Sequence, residues 1–206
     1  MKLFPAVLSL LLVSPFTLAE PLVDTKALGS SAEDTSRWRV TFNLDAMSGG
    51  DELATVEFHD SGLKQTIHAG GGALIGAGIQ YHASAQFDAE ARLNYLTNSI
   101  DGETYDGDDF TVSFDAFPLD MMGYYHNGKH SIGAGLSYHL NPEYDVDGTV
   151  MEFDDALGAL IEYRYFWKPR FGLTVKYQNI EYTWSGTDNK VDGSGLGVGV
   201  SFGLEL

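Results

Sequence analysis

The feature that most constrains this chain is an alternation of apolar residues with other residues, which recurs in eight separate segments. In the clearest segment, 87–95, every odd position is apolar and every even position is polar or charged. A period of two is that of a β-strand whose two faces meet different environments. The sequence therefore predicts an all-β fold. The eight predicted strands lie at about 38–46, 71–82, 87–95, 110–125, 132–138, 151–165, 171–182 and 196–206.

Three of these strands carry an irregularity, and in 171–182 it is a change of phase before Ile180. In 110–125 the apolar positions change phase before Phe117, and Pro118, which has no N–H to donate to a ladder, follows directly. We therefore expect a β-bulge at 116–118. In 151–165 the apolar alternation begins at Met151 and has Asp155 as its one misfit.

Three tight connections predict how neighbouring strands pair. Asn127-Gly128 is a strong two-residue hairpin signal. Short loops at 168–170 and 83–85 predict two further hairpins. In all three, apolar residues then face one another, and a slip of one residue would destroy that match. The predicted pairs are Tyr125 with His130, Met121 with Ala134, Trp167 with Phe171, Tyr165 with Leu173, Tyr81 with Phe87, and Ile79 with Ala89.

The connections alternate in length along the chain. Between the three short ones lie four long, acidic segments, at 47–70, 98–109, 141–149 and 184–193. Short turns at one rim and long loops at the other are typical of outer-membrane barrels, with the turns periplasmic and the loops extracellular. In the first long segment, 53–58 and 63–67 alternate as well, which predicts a hairpin projecting above the membrane.

The second face of the strands decides between a membrane barrel and a soluble barrel of lipocalin type. A soluble barrel would expose that face to water, yet here it is rich in glycine. Glycine suits the narrow lumen of an eight-stranded barrel, where space is short. We therefore expect the apolar face to meet lipid. The glycines of the second face include Gly72, Gly76, Gly78, Gly133, Gly135, Gly195, Gly197, Gly199 and Gly203.

Aromatic residues form two groups on the predicted apolar face, as membrane interfaces favour. The group at the rim of short turns is Tyr81, Phe87, Tyr125, Tyr165, Trp167 and Phe171. The group toward the long loops is Tyr95, Phe110, Tyr138, Phe153 and Tyr177. The sequence thus predicts an eight-stranded antiparallel up-and-down transmembrane β-barrel over 37–206, with short periplasmic turns and long extracellular loops.

The N-terminal segment has the pattern of a secretory signal. Residues 1–19 contain Lys2, a short apolar stretch and small residues before Glu20, where we expect cleavage. Residues 20–36 are polar and aperiodic, which predicts a flexible periplasmic segment. The chain has no cysteine, which excludes disulfides and thiolate chemistry. Its formal charge of −17 argues against nucleic acid as a partner.

Over 38–206 the chain resembles the small outer-membrane barrels of the OmpA transmembrane domain, OmpX and OmpW class. The alternating final strand, 196–206, resembles the C-terminal assembly signal of that class. Such strands usually end in Phe, whereas this one ends in Leu206, with Phe202 four residues earlier. The resemblance implies a location in the cell outer membrane. The expected partners are membrane lipid, lipopolysaccharide and the outer-membrane assembly machinery, with the barrel itself a monomer.

Charged residues on the luminal face predict a network of ion pairs. Glu162 and Lys176 face each other across the predicted 168–170 hairpin, beside Arg164. Glu90 and Arg92 complete the set. Buried charges must be paired, so the first interpretation is a closed lumen. The alternative is a gate whose pairs exchange to open a path.

The sequence also contains candidate residues for two further chemistries. Some small barrels modify lipid A, and a deacylase of that group uses a His-x-Ser pair with an acid. His82-Ala83-Ser84 has that spacing, but it lies at a predicted periplasmic turn, away from the outer leaflet. The loop acids Asp101, Glu103, Asp106 and Asp108 are weak candidates for a divalent cation site, and solvated acidic loops are the favoured interpretation. No cofactor is implied.

These observations favour a barrel that is not an enzyme and that has a structural, surface-interaction or minor transport role. The alternatives are a barrel that transports small apolar molecules and a lipid A-modifying enzyme.

Overall fold

The computed structural model describes residues 37–58, 62–103 and 109–206. The predicted signal peptide at 1–19 and the predicted periplasmic segment at 20–36 lie outside the described residues. The described residues form thirteen β-strands. Among them, no helix is long and apolar enough to cross a membrane.

Eight strands form a closed antiparallel barrel in chain order. Each pairs with the next, and the first pairs with the last, so that Phe42 lies opposite Phe202. This closure confirms the predicted up-and-down architecture. The barrel strands are β1 (Trp38–Ser48), β4 (Gly71–His82), β5 (Phe87–Glu103), β6 (Asp109–Asn127), β7 (His130–Val146), β9 (Ala156–Lys168), β10 (Phe171–Asn179) and β13 (Gly195–Glu205).

Five short strands lie at one end of the barrel. β2 pairs with β3 in the predicted hairpin of the first long segment, which is confirmed. β8 pairs with the last residues of β7, and β11 pairs with β12. We call this end the loop end, and the opposite end, with connections at 83–86, 128–129 and 169–170, the turn end. The short strands are β2 (Glu52–Glu57), β3 (Lys64–His68), β8 (Thr149–Glu152), β11 (Glu181–Thr183) and β12 (Lys190–Asp192).

Several barrel strands continue into segments predicted as loops, which corrects those predictions. β5 and β6 extend into 98–109, and β7 and β8 occupy most of 141–149. The turn between β7 and β8 is Asp147-Gly148, with φ of 52° and 80°. Two positive φ values are those of a type I′ hairpin turn. Strand segments that extend beyond the lipid need no apolar face. The alternation of apolar residues, from which the strands were predicted, therefore ends before the strands do.

The two faces of the barrel are arranged as expected for lipid outside. Leu44, Ile75 and Val198 on the exterior are 54%, 59% and 60% exposed, whereas Arg92 and Glu162 in the interior are almost fully buried. Apolar side chains removed from water contribute roughly 25 cal/mol per Å². An exterior of this kind is therefore stable in hydrocarbon and unstable in water.

Two of the three predicted hairpin registers are wrong by two residues. In β6–β7 the turn is Gly128-Lys129, so Tyr125 pairs with Ile132 and Met121 with Leu136. Gly128 has φ of 62° at the first central position, as in a type II′ turn. Because side chains alternate with period two, a shift of two residues leaves every face unchanged.

The second register error follows from a longer connection at 83–86. Tyr81 consequently pairs with Ala89, and Ile79 with Ala91. In the third hairpin, the pairing of Tyr165 with Leu173 is confirmed. Phe171, however, pairs with Lys168, because a bulge beside the turn displaces Trp167 from the ladder.

The ladder of β6 with β7 has an irregularity between Asp115 and Phe117, where a β-bulge was predicted, but β6 is not the strand that bulges. β6 alternates without interruption there, and the extra residue lies in the facing strand β7, between Leu140 and Glu143. Asn141 in this stretch has φ of 45°. The phase change in β6 has another cause: Val112 and Phe114 point into the barrel rather than toward lipid.

The interior is consequently divided into two layers. Polar and charged side chains fill the middle of the lumen, and an apolar cluster fills the loop end. We call this cluster the apolar lid. Hairpin β2–β3 contributes Val56 and Ile67 to it. Its buried members are Met47, Val56, Ile67, Ala69, Leu74, Leu96, Ile100, Val112, Phe114, Ala116, Tyr144, Phe153, Ala156, Ile180 and Tyr182.

Candidate functional site: the closed lumen

Two arginines and two glutamates occupy the centre of the lumen. Arg92 on β5 donates to Glu162 on β9 at 2.9 Å. Arg164 on β9 lies 2.8 Å from Glu90 on β5 and also donates through Nε to Glu162. Because β5 and β9 are not neighbours in the barrel, these ion pairs join walls that face each other across the lumen. Each of the four side chains is at most 3% exposed.

Residues that the sequence did not single out complete this network. Asp120 accepts from Arg92 at 3.2 Å. Tyr124 donates to Glu162 at 3.1 Å and accepts from Arg164 at 2.6 Å. The Arg164 guanidinium also lies 4.2 Å from the centre of the Tyr124 ring, within cation–π range. Alternation places Asp120 on the luminal face, but a tyrosine near a turn is equally typical of the lipid interface.

Neutral side chains donate further hydrogen bonds to the carboxylates of this network. The Thr41 hydroxyl donates to Glu90 at 2.7 Å. Ser137 and Asn94 donate to Asp120 at 2.6 and 3.0 Å. Buried charges are tolerated when they are both paired and hydrogen-bonded, and each of the three carboxylates, Glu90, Asp120 and Glu162, has an ion pair and a hydrogen bond.

Lys176 lies in the lumen but bonds to a different acid from the one expected. It pairs in the ladder with Glu162, as the 168–170 hairpin predicted. Its Nζ, however, lies 2.7 Å from Asp45 on β1. Thr174 and Asn43 also donate to Asp45, at 2.7 and 2.8 Å. Asp45 thus forms a second luminal ion pair, which the sequence analysis missed although alternation points it inward.

Luminal glycines make room for these long side chains. A Cβ on Gly78 would lie 2.5 Å from Cγ of Arg92. A Cβ on Gly133 would meet the Tyr124 ring at 2.4 Å, and one on Gly197 would meet Cγ of Lys176 at 2.8 Å. Distances this short are overlaps rather than contacts. The glycine-rich face is therefore what allows a narrow barrel to hold its polar network.

The apolar lid closes the lumen on the loop side of the network. Tyr182 spans the boundary, because its hydroxyl lies 2.8 Å from Nδ1 of the buried His139 while its ring packs on Phe114 and Phe153. Phe153 in turn stacks against Trp184 with ring centres 4.0 Å apart. Phe153 was expected in the lipid belt, as was Phe110, which packs against the lid. Both expectations are wrong, because these rings face inward.

On the turn side, Asp88 lies at the end of the network between two histidines. Its carboxylate is 2.8 Å from His82 and 2.6 Å from His126. Ser84 of the His82-Ala83-Ser84 sequence instead accepts from the backbone N–H groups of Gln86 and Phe87, at 3.3 and 3.1 Å. The serine thus stabilises the turn between β4 and β5.

The remaining aromatic residues of the two predicted belts lie on the exterior. Tyr81 and Tyr165 are half-buried, and the others are exposed. At the loop-side belt, Tyr138 donates to Asp155 at 2.9 Å. Asp155, the misfit of the predicted strand 151–165, lies between β8 and β9. The exposed members are Phe87, Tyr125, Trp167 and Phe171 at the turn end, and Tyr95, Tyr138 and Tyr177 toward the loop end.

The weak cation-site candidates are only partly described. Asp101 accepts from the Thr111 hydroxyl at 2.9 Å. Asp106, Asp108 and the side chain of Glu103 lie outside the described residues. Within the ranges that the structure covers, no three His, Asp or Glu side chains converge on a common point as cation ligands would.

Solved structures of known proteins share this fold. Ail, the attachment invasion locus protein of Yersinia pestis, has a TM-score of 0.51 at 9% identity, over 82% of this chain and 99% of that one. Neisserial surface protein A has a TM-score of 0.48 at 14% identity, with the same coverage. OprG from Pseudomonas aeruginosa has a TM-score of 0.45 at 13% identity, over 84% of this chain and 98% of that one.

At such identities the likeness concerns the fold alone. No protein-family model and no curated protein matches the chain. The closed eight-stranded topology and the apolar exterior together place the chain among the small outer-membrane β-barrels.

Proposed function

We propose that this protein is a non-conducting barrel of the outer membrane that acts through its acidic loop end, by contact with basic partner surfaces. The proposal includes an orientation in the membrane: the loop end faces the cell exterior, and the turn end faces the periplasm. The lumen has a structural role, and neither transport nor catalysis is assigned to it.

The observation that carries the proposal is that the lumen is filled by two layers in series. A solute entering from the loop end meets the apolar lid, where Phe114 and Tyr182 are completely buried. Beyond the lid lies the charged network, in which the side chains of Arg92 and Glu162 are also almost fully buried. Each layer blocks the passage of a solute through the lumen, so that opening one layer would leave the lumen closed by the other. This argues against a luminal route for small apolar molecules.

The loop end supports an interaction role because its charge is almost entirely negative. Lys64 and Lys190 are the basic residues described there, and each is paired with a glutamate on its own hairpin, at 3.0 and 2.6 Å. The acids carry the remaining charge. The acidic residues of this end that the structure describes in full include Asp51, Glu52, Glu57, Asp101, Asp109, Asp115, Glu143, Asp145, Asp147, Glu152, Asp154, Asp155, Glu181, Asp188 and Asp192.

In hairpin β7–β8, repulsion between acidic side chains lowers the stability of the hairpin itself. Glu143 lies directly opposite Glu152 in the ladder. Like charges in that position are destabilising. A basic partner would relieve the repulsion on binding, and complementary charge mainly accelerates association and selects the partner. The exposed apolar side chains of Val150 and Met151 lie on the same short strand.

The positions of the candidate catalytic residues give little support to the hypothesis of a lipid A hydrolase. Its serine, Ser84, lies at the turn end and already accepts two backbone N–H groups. Its nearest acid, Asp88, is held between two histidines. Nucleophilic catalysis requires a nucleophile held by its base and a substrate that can reach it.

Two measurements test the proposal. In planar bilayers the purified protein is expected to show no sustained conductance, and stable openings would overturn the proposal. In nanodiscs, the double variant Glu143→Gln/Glu152→Gln is expected to bind cytochrome c, used as a basic protein probe, about threefold more weakly than wild type at low ionic strength.

The matched control is Glu143→Asp/Glu152→Asp, which keeps both charges and shortens both side chains. It is expected to bind the probe as the wild type does. Equal binding by the Gln and Asp variants at low ionic strength would show that this hairpin does not contribute to the interaction surface.

A further inference from the structure

The basic residues of this acidic chain are concentrated at the turn end. In the described ranges, three basic side chains are in the lumen and two, Lys64 and Lys190, are at the loop end. The others, Arg37, Arg39, Lys129, Lys168 and Arg170, lie within a few residues of the turn-end connections or of the barrel closure. Charge is thus segregated between the two ends.

Four of these cations line a cavity at the turn end. The cavity has a volume of about 720 Å³, within the usual range for small-molecule sites. Arg37, Arg39, Lys129 and Lys168 belong to its wall, together with the aromatic side chains of Phe166 and Trp167. Its inner end is Asp88 with His82 and His126, beyond which the luminal network closes the barrel. We call this cavity, which is closed toward the lumen, the turn-end cup.

The carboxylates of this cavity are already engaged. Glu205 lies 3.3 Å from Arg39. Asp88 is held by the two histidines and by the amide of Gln80. In contrast, Arg37 donates to the neutral Tyr81 hydroxyl at 3.3 Å, and neither Lys129 nor Lys168 forms an ion pair with a described residue. The cup therefore holds more positive than negative charge.

We infer that this turn-end cup binds a phosphate-bearing ligand. Arginine and lysine side chains around a concave site are the groups that recognise phosphate, arginine by a planar fork and lysine as a point charge. Because the luminal ion pairs block the way beyond it, the cup is suited to holding a ligand rather than to passing one through the barrel. Two sources carry the same chemistry: a soluble phosphate monoester, and the headgroup of an anionic phospholipid in the adjoining leaflet. This inference is independent of the interaction role proposed for the loop end.

The test compares Lys129→Gln/Lys168→Gln with Lys64→Gln/Lys190→Gln, a control with the same loss of charge at the opposite end. The full chain in detergent is titrated with sn-glycerol 3-phosphate and followed by tryptophan fluorescence, since Trp167 lines the cup. The same proteins in nanodiscs containing phosphatidylglycerol are analysed by native mass spectrometry for retained lipid. Heat-modifiable gel migration verifies that each variant is folded.

Saturable binding of glycerol phosphate supports a soluble ligand, and retention of phosphatidylglycerol supports a lipid headgroup. In either case the Lys129→Gln/Lys168→Gln variant is expected to bind at least about tenfold more weakly, and the control to match wild type. The inference is overturned if wild type binds neither probe. It is equally overturned if both double variants lose binding to the same extent, because the cup would then not be the site.

Discussion

Arg92 and Glu162 join two strands that are not neighbours in the barrel, with 2.9 Å between the guanidinium nitrogen and the carboxylate oxygen. A contact of this kind fixes the distance between opposite walls, which the strand ladders alone do not. The network therefore contributes to the shape of the barrel as well as to its closure.

Removal of Glu162 is expected to destabilise the barrel strongly. Glu162→Ala leaves Arg92 and Arg164 without their shared carboxylate, and loss of one member of a buried ion pair costs about 3–5 kcal/mol. Glu162→Gln keeps the shape and part of the hydrogen bonding, so it should cost less. Urea unfolding in lipid vesicles measures both free energies. Equal stability of Glu162→Ala and wild type would mean that the network is not structural.

Opening one luminal layer is expected not to open the barrel. Glu162→Ala alone should remain non-conducting, because the apolar lid is intact, and Phe114→Ala/Tyr182→Ala alone should remain non-conducting, because the network is intact. Only the combined variant, where it folds, should show conductance in planar bilayers. Openings in either separate variant would contradict closure by two layers in series.

Substitution by alanine should change the free energy of unfolding differently at a glycine of the luminal face and at a glycine of the exterior face. In Gly78→Ala the new methyl group would overlap both the Ala91 carbonyl oxygen and Arg92, at 2.5 Å each, and overpacking costs about 1–3 kcal/mol. In Gly123→Ala the methyl group meets its nearest neighbour, the Ala134 carbonyl oxygen, at 4.0 Å. That variant should be neutral or gain up to about 1 kcal/mol from the smaller entropy of the unfolded chain. Urea unfolding of the pair measures the difference, and equal effects would contradict the assignment of faces.

The buried phenol of Tyr182 predicts a dependence on alkaline pH. Burial raises the pKa of Tyr182 well above its ordinary value, because the phenolate would be poorly solvated. The unfolded chain ionises at about pH 10, so the stability that Tyr182 contributes is complete below that pH and declines as pH rises above it. In Tyr182→Phe this part of the decline should be absent. Unfolding free energies at neutral pH and at about pH 11 measure it; an identical decline in the two proteins would indicate that the hydroxyl is accessible to solvent.

The sequence determines which face of each strand meets lipid far better than it determines pairing. A period of two assigns Leu93 outward and Arg92 inward whatever the register, and the structure agrees for both. By contrast, the turn that begins at Gly128 gives a pairing of β6 with β7 that differs by two residues from the predicted one, and both pairings fit the alternation equally well. Faces were therefore predictable, and two of three registers were not.

The apolar lid was not predictable for a related reason. Phe114 and Phe153 are apolar residues in alternating strands, and alternation does not tell lipid from an apolar interior. Only the three-dimensional position of hairpin β2–β3, whose Val56 and Ile67 meet these strands, makes the interior apolar at this end. Likewise, a tyrosine near a turn is typical of the lipid interface, and only the folded barrel places the ring of Tyr124 in its interior.

The pairing of β1 with β13 has a consequence for how the barrel is made. Nine residue pairs, from Arg39 with Glu205 to Met47 with Gly197, connect the beginning of the barrel to its end. A ribosomal product that stops before the final eleven-residue strand carries two open edges, whose amides and carbonyls find no donors or acceptors among acyl chains. Stable residence in lipid is therefore expected only once the final strand has paired with β1.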